Sequence, residues 1–258
     1  MTILRGRRHA QPPGFPEPWR RIVEAQLAAW PSLDVGERDR LLDLVLELIA
    51  DKRWSAANGF ELTDDVIVTI AASAALLVLG AGFGLECYRN VTSIEVHAST
   101  ILVRGEQHTG LPGGLMFDGI TSLAGRAEMR GPIFLAWDAV HHDVRHPLGG
   151  RNVVLHEFAH ALDMLDGSVD GTPPLRSADV APWVEVCLAE YEALRRGDGD
   201  DLLDDYGATN PGEFFAVATE LFFCRPLAMR ERKAALYDVL AGFYRQDPAQ
   251  RMHRAGLR

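Results

Sequence analysis

Residues 152–167 read NVVLHEFAHALDMLDG and contain His156-Glu157-Phe158-Ala159-His160. Val154, Phe158, Ala161, Leu162 and Leu165 recur at helical spacing, so residues 151–165 read as one helix with an apolar stripe. On a helix, residues four apart differ by about 40° in rotation and about 6 Å in rise. Both imidazoles can therefore point at one zinc ion, on the face roughly opposite the apolar stripe. Glu157 lies beside them, where a carboxylate can act as general base on water.

Zinc hydrolysis chemistry needs a third protein ligand and an open fourth position. Continuing the motif gives His160-x-x-Asp163-x-x-Asp166, but Asp163 stands where that type of chain turn needs glycine, which counts against Asp166 as a ligand. Asp163 follows His160 by one turn and can instead orient a ligand. His141, His142 and His146 precede the motif in a polar stretch. The strongest candidate is Glu213, in the first turn of a helix whose Phe214, Val217, Ala218, Leu221 and Phe222 form an apolar face. Asn210-x-x-Glu213 is equally a variant capping box that needs no metal, so spacing alone leaves Glu213 open between the two roles. Glu220 joins Asp163 as a residue able to support a ligand.

Around this motif the chain is ordinary for a globular protein. It has 258 residues, 47% hydrophobic and 24% charged, with a formal charge of −10. That composition excludes global disorder, and the acidic balance argues against direct binding to nucleic acid. Cys87, Cys187 and Cys224 are sparse, odd in number and form no CxxC pair, as in a reducing compartment such as the cytoplasm. Residues 1–17 are basic and then proline-rich, without a signal-peptide apolar core, and read as a flexible leader. Residues 66–85 carry no charge over 20 positions, long enough for a membrane span. They are alanine-rich, end in glycines and are flanked by Asp64, Asp65 and Glu86, with no basic anchor. They read as a buried core helix and imply no membrane partner.

The elements alternate in character along the chain. Asp34-x-x-Glu37 reads as a capping box for a helix through Ile49, and Thr63 caps the apolar helix. Residues 93–104 read as a strand, residues 105–130 as glycine-rich hairpins or loops, and residues 132–137 (PIFLAW) as a short apolar strand. Residues 141–150 read as a polar loop, 181–196 as a helix with Pro182 near its first turn, 197–205 as a solvated acidic loop, and 226–246 as a final helix. The acidic loop lacks the order of an EF-hand. The fold expected is α+β: mostly helical, with a small sheet beside the histidine helix. It occupies one domain over residues 18–252, followed by a tail at 253–258.

Residues 152–167, together with DYGATNPGEFFAVATELFF at 205–223, FYRQDPAQRM at 243–252 and GPIFLAWDAV at 131–140, resemble the Mlc titration factor A family of zinc metallopeptidases. The resemblance covers much of residues 15–252. It implies a zincin-like fold of gluzincin type, with one zinc ion on His156, His160 and Glu213, and a functional tyrosine at Tyr206. It also implies a soluble, cytoplasmic enzyme with an aminopeptidase-like preference for peptides, in a family whose namesake binds a transcriptional repressor. Some relatives carry an extra histidine ligand before the strand; residues 115–118 (LMFD) do not supply it, and His108 stands in a different context.

These readings converge on an expectation. Glu157 serves as the proton shuttle of peptide hydrolysis, Tyr206 as a hydrogen-bond donor to the developing oxyanion, and the PIFLAW strand as the edge to which an extended peptide adds. The alternative is a non-catalytic anti-repressor with a structural zinc site; an intact Glu157 argues against a purely structural role.

Overall fold

The computed structural model describes residues 14–57, 59–80, 82, 84–99, 131–198 and 201–257. The expected loops at 105–130, together with His108 and residues 115–118, lie outside that set, as does most of the leader. The described helices are α1 (Glu17–Gln26), α2 (Val35–Asp51), α3 (Asp64–Leu77), α4 (Trp137–Arg145), α5 (Val153–Asp163), α6 (Ser177–Arg196), α7 (Pro211–Cys224), α8 (Pro226–Arg232), α9 (Ala234–Tyr244) and α10 (Pro248–Arg254). The strands are β1 (Arg53–Ala56), β2 (Val91–His97) and β3 (Gly131–Ala136). Helices predominate beside one small sheet, as expected of a mostly helical α+β chain.

Helix starts follow the local chemistry. Asp34 accepts from the Glu37 amide at 2.9 Å and Glu37 returns to the Asp34 amide at 3.0 Å, completing the capping box of α2. Thr63 caps α3, whose residues from Val68 to Leu77 are all buried. The run without charge is thus the centre of the core, packed by α1, α2 and α5, and its alanines let those neighbours approach closely. Among the described residues, no helix is long and apolar enough to cross a membrane. Helix α3 ends at Leu77, well short of residue 85, and the chain then meets the turn after α9. A side chain at Gly80 would be driven into the Tyr244 carbonyl oxygen, and Gln246 donates to the carbonyls of Leu76 and Leu77 at 2.9 and 3.0 Å.

The sheet has the order β1-β2-β3, and both pairings are parallel. Ile94 pairs with Trp54 and Ile133, and Val96 with Ala56 and Leu135, in register. Ile94, Val96, Ile133 and Leu135 are buried and form the core side of the sheet. The β1 strand is four residues of mixed polarity that carry no alternation signal, so it has no counterpart in the sequence reading.

Several expected elements differ. Trp137 opens α4 rather than ending β3, and α4 replaces the polar loop through Arg145, because Trp137, Val140 and Val144 share one helical face. The single helix expected over 226–246 is two, α8 and α9, and a third, α10, follows it. Lys233 divides the first two with non-helical dihedrals (φ −136°, ψ 54°), Arg245 at φ 52° stops α9, and Asp247 with Pro248 starts α10. Helix α6 begins at Ser177, so Pro182 falls in its second turn.

Candidate metal centre

Helix α5 carries the histidines, and Asn152 caps it by accepting from the amides of Val154 and Leu155, both at 3.1 Å. Every residue of α5 is buried, the histidine face included. The covering element is α7, the helix α5 packs against most extensively. Close approach at the start of α7 depends on Gly212. A Cβ there would sit 2.9 Å from Val169 Cγ1 and 3.5 Å from Asp163 Oδ2.

The structure brings His156, His160 and Glu213 together. His156 Nε2 is 3.0 Å from Glu213 Oε2, His160 Nε2 is 3.3 Å from the same oxygen, and the two Nε2 atoms are 3.2 Å apart. One donor atom from each residue lies within 4.8 Å of the other two, the one such group of three among the described residues. Two imidazoles and a carboxylate are an N/O donor set suited to zinc. Ligands about 2.0–2.1 Å from a tetrahedral ion sit about 3.3–3.4 Å from each other, so the observed separations fit a single ion with little rearrangement. The two roles open for Glu213 divide between its backbone and side chain. Its amide donates to the Asn210 cap at 2.9 Å, while its carboxylate turns to the histidines.

His156 Nδ1 lies 2.6 Å from Glu220 Oε1, and Glu220 Oε2 accepts from the Asn152 amide at 2.6 Å. That bond holds the proton on Nδ1 and leaves the Nε2 lone pair for an ion. The signal for Glu220 is its position seven residues after Glu213, on the same face of α7; the Asn152 amide has no sequence signal. Asp163 is fully buried and accepts from the Gly171 amide at 2.9 Å through Oδ2, while Oδ1 has no partner. Burial pushes its carboxyl up to about 6. Asp163 thereby ties the loop after α5 to the α7 start rather than touching a ligand atom. Asp166 instead accepts from the Ser168 amide and hydroxyl at the surface, His141 and His142 ride on α4, and His146 caps its end; none joins the cluster.

Glu157 is only 2% exposed, and burial raises its carboxyl to about 7, against the pull of His156 and His160. Burial alone would lower His156, but its bonds to Glu213 and Glu220 outweigh that and carry it to about 10. Burial alone would raise Glu213, and the bonds from the two histidines hold it well below the usual carboxylate range. Tyr206 sits on the turn Asp205–Ala208, its ring 6.2 Å from that of His156 and its hydroxyl bonded to Glu213. Burial and the Glu213 and Glu157 carboxylates push that phenol well above its ordinary value.

A helix-borne His-Glu-x-x-His completed by a carboxylate from a second helix defines the metallopeptidase class. The chain belongs to the glucose-regulated metallo-peptidase M90 family, whose model matches residues 2–245. Proteins named Mlc titration factor A are similar to it. The one from Edwardsiella ictaluri is 33% identical over 260 residues, covering 93% of this chain and 96% of the relative. The one from Serratia proteamaculans is 33% identical over 228 residues (86% and 85%), and the one from Yersinia pestis 31% over 244 (92% and 87%).

Proposed function

We propose that this protein is a zinc-dependent peptidase using His156, His160 and Glu213 as metal ligands, with Glu157 and Tyr206 as catalytic groups. The observation that carries the reading is the convergence of those three donors beside a buried carboxylate. Bound zinc would supply Lewis acidity toward a peptide carbonyl and toward water. Glu157, with a carboxyl poised near neutrality, takes a proton from the attacking water and returns it to the departing amine nitrogen. Tyr206, released from Glu213, donates its hydroxyl to the developing oxyanion. The outer edge of β3, the end strand among the described residues, is where we place an extended peptide. The family resemblance supports an aminopeptidase-like preference, and the sparse, unpaired cysteines support a cytoplasmic setting.

The test is Glu157→Gln. The variant retains about one metal ion per chain and loses about 100-fold or more of its peptide turnover, and a chelator abolishes the turnover of the wild type. Wild-type turnover in a metal-loaded Glu157→Gln protein would remove the general-base role.

A second reading has a specific observation behind it, the titration-factor name of the relatives. On that reading the protein also sequesters a transcriptional repressor by binding. The two activities separate if ligand-site variants lose cleavage while keeping repressor binding.

A further inference from the structure

A cavity of about 320 Å³ lies between the end of α1, the starts of α4's following turn and α5, the end of α7, and α10. Its walls are mainly apolar, with Leu27, Leu76, Val144, Leu155, Phe223 and Met252 among them. This volume falls at the lower end of small-molecule sites, about 300–1,000 Å³.

Asn152, Asp143, Ser32 and Arg251 in the wall are engaged within the protein, and Arg151 faces Asp204 at 3.9 Å. The Asn152 side-chain oxygen caps α5, and Asp143 accepts from the Val153 amide at 2.9 Å. Ser32 donates to the Ala29 carbonyl at 2.7 Å, and the Arg251 guanidinium is held by Glu37 at 2.7 Å and Gln246 at 2.8 Å. A charged ligand would have to break one of these bonds while losing its own hydration, whereas an apolar one only has to leave water.

The cavity also touches the support of the metal-binding cluster. Asn152 lines it, the Asn152 amide bonds Glu220, and Glu220 bonds His156 Nδ1. Leu155 in the wall immediately precedes His156, and Phe223 follows Glu220 by one turn. Close-packed interiors transmit such displacements instead of absorbing them.

We propose that this cavity binds a small, uncharged, largely apolar molecule and that its occupancy alters metal affinity through Asn152, Glu220 and His156. The coupling rests on the metal-site reading; the binding itself does not.

Octan-1-ol serves as the apolar probe, followed by calorimetry, and cobalt(II) as the metal probe, followed by its absorption bands, both on the full chain. Octan-1-ol should bind one per chain and saturably. Ala28→Trp, at an exposed position lining the cavity, should weaken it about tenfold or more without moving the melting temperature. Met252→Trp, from α10, should do the same and serves if the first variant does not fold. Saturating octan-1-ol should shift cobalt(II) affinity about threefold or more. No saturable binding, equal binding by the tryptophan variants, or tighter binding of octanoate would overturn the ligand assignment. An unchanged cobalt(II) affinity would overturn the coupling. Failure of the wild type to take cobalt(II) would defeat the metal-site reading, and with it the coupling, while octan-1-ol binding still decides the cavity.

Discussion

Glu213 starts α7 through its backbone and turns its side chain to the histidines, and Glu220, two turns on, steadies the histidine that Glu213 meets. Removing that support should show in metal affinity before it shows in stability. Glu220→Ala is expected to lower metal affinity about 10–100-fold, measured by competition with a fluorescent chelator; an unaltered affinity would mean that His156 orients without it. The protonation of the cluster gives a second expectation. With His156 raised to about 10, an ion must displace its proton, so affinity should rise with pH by about tenfold per unit between pH 6 and 8. Stability of the metal-free protein runs the other way. A histidine raised above its unfolded value contributes fully below about 6.5 and loses that contribution as pH climbs to about 10. Melting of chelator-treated protein should therefore drop between pH 7 and 10. A flat profile would show that the imidazole is not held charged by its two carboxylate partners. At this scale the site was largely legible. Two histidines four apart with a glutamate beside the first point to one shared ion, and Glu220 could be named only as a residue able to support a ligand. The Asn152 amide was not legible, because backbone groups have no residue-type signature.

At the scale of elements, the junction between α5 and α7 decides whether three ligands meet. Gly171 holds it together: φ is +76°, its amide goes to Asp163, its carbonyl accepts from Trp183 Nε1 at 3.0 Å, and a Cβ would be driven into the Pro211 carbonyl oxygen. Gly171→Ala is expected to cost about 1–3 kcal/mol and to weaken metal binding by shifting the helix that carries Glu213. Asp34→Ala, at the distant α2 cap, is expected to cost about 1 kcal/mol with metal affinity intact. Denaturant melts beside metal titrations separate the two; equal effects on the metal would show that the junction has no special part. Caps were the readable feature here: Asp34, Thr63 and Asn210 each start the helix their residue type foretells, whereas Asn152, read inside a helix over 151–165, caps α5 instead. The breaks within 226–246 were less readable, since Lys233 and Arg245 adopt conformations that their side chains do not announce. The α4 helix was hidden by polar residues on its open face.

Over the whole molecule, α3 is the axis on which the other parts assemble. It is buried all round, and the C-terminal segment closes over its end through Gln246 while Arg251 reaches Glu37 on α2. This explains why a stretch of membrane-span length carries no charge, a question that composition and flanking residues could only weigh. The parallel sheet was harder to foresee. Strand partners in parallel sheets are far apart in sequence, and β1 lacks the alternation that would advertise it.

The proposed function requires that Glu213 complete a metal centre that cleaves peptides. Metal content and chelator-sensitive cleavage, measured together on wild type and Glu213→Gln, test it most directly. About one zinc per wild-type chain is predicted, with zinc and cleavage both sharply reduced in the variant. Full zinc and full cleavage in folded Glu213→Gln would move the third ligand away from Glu213.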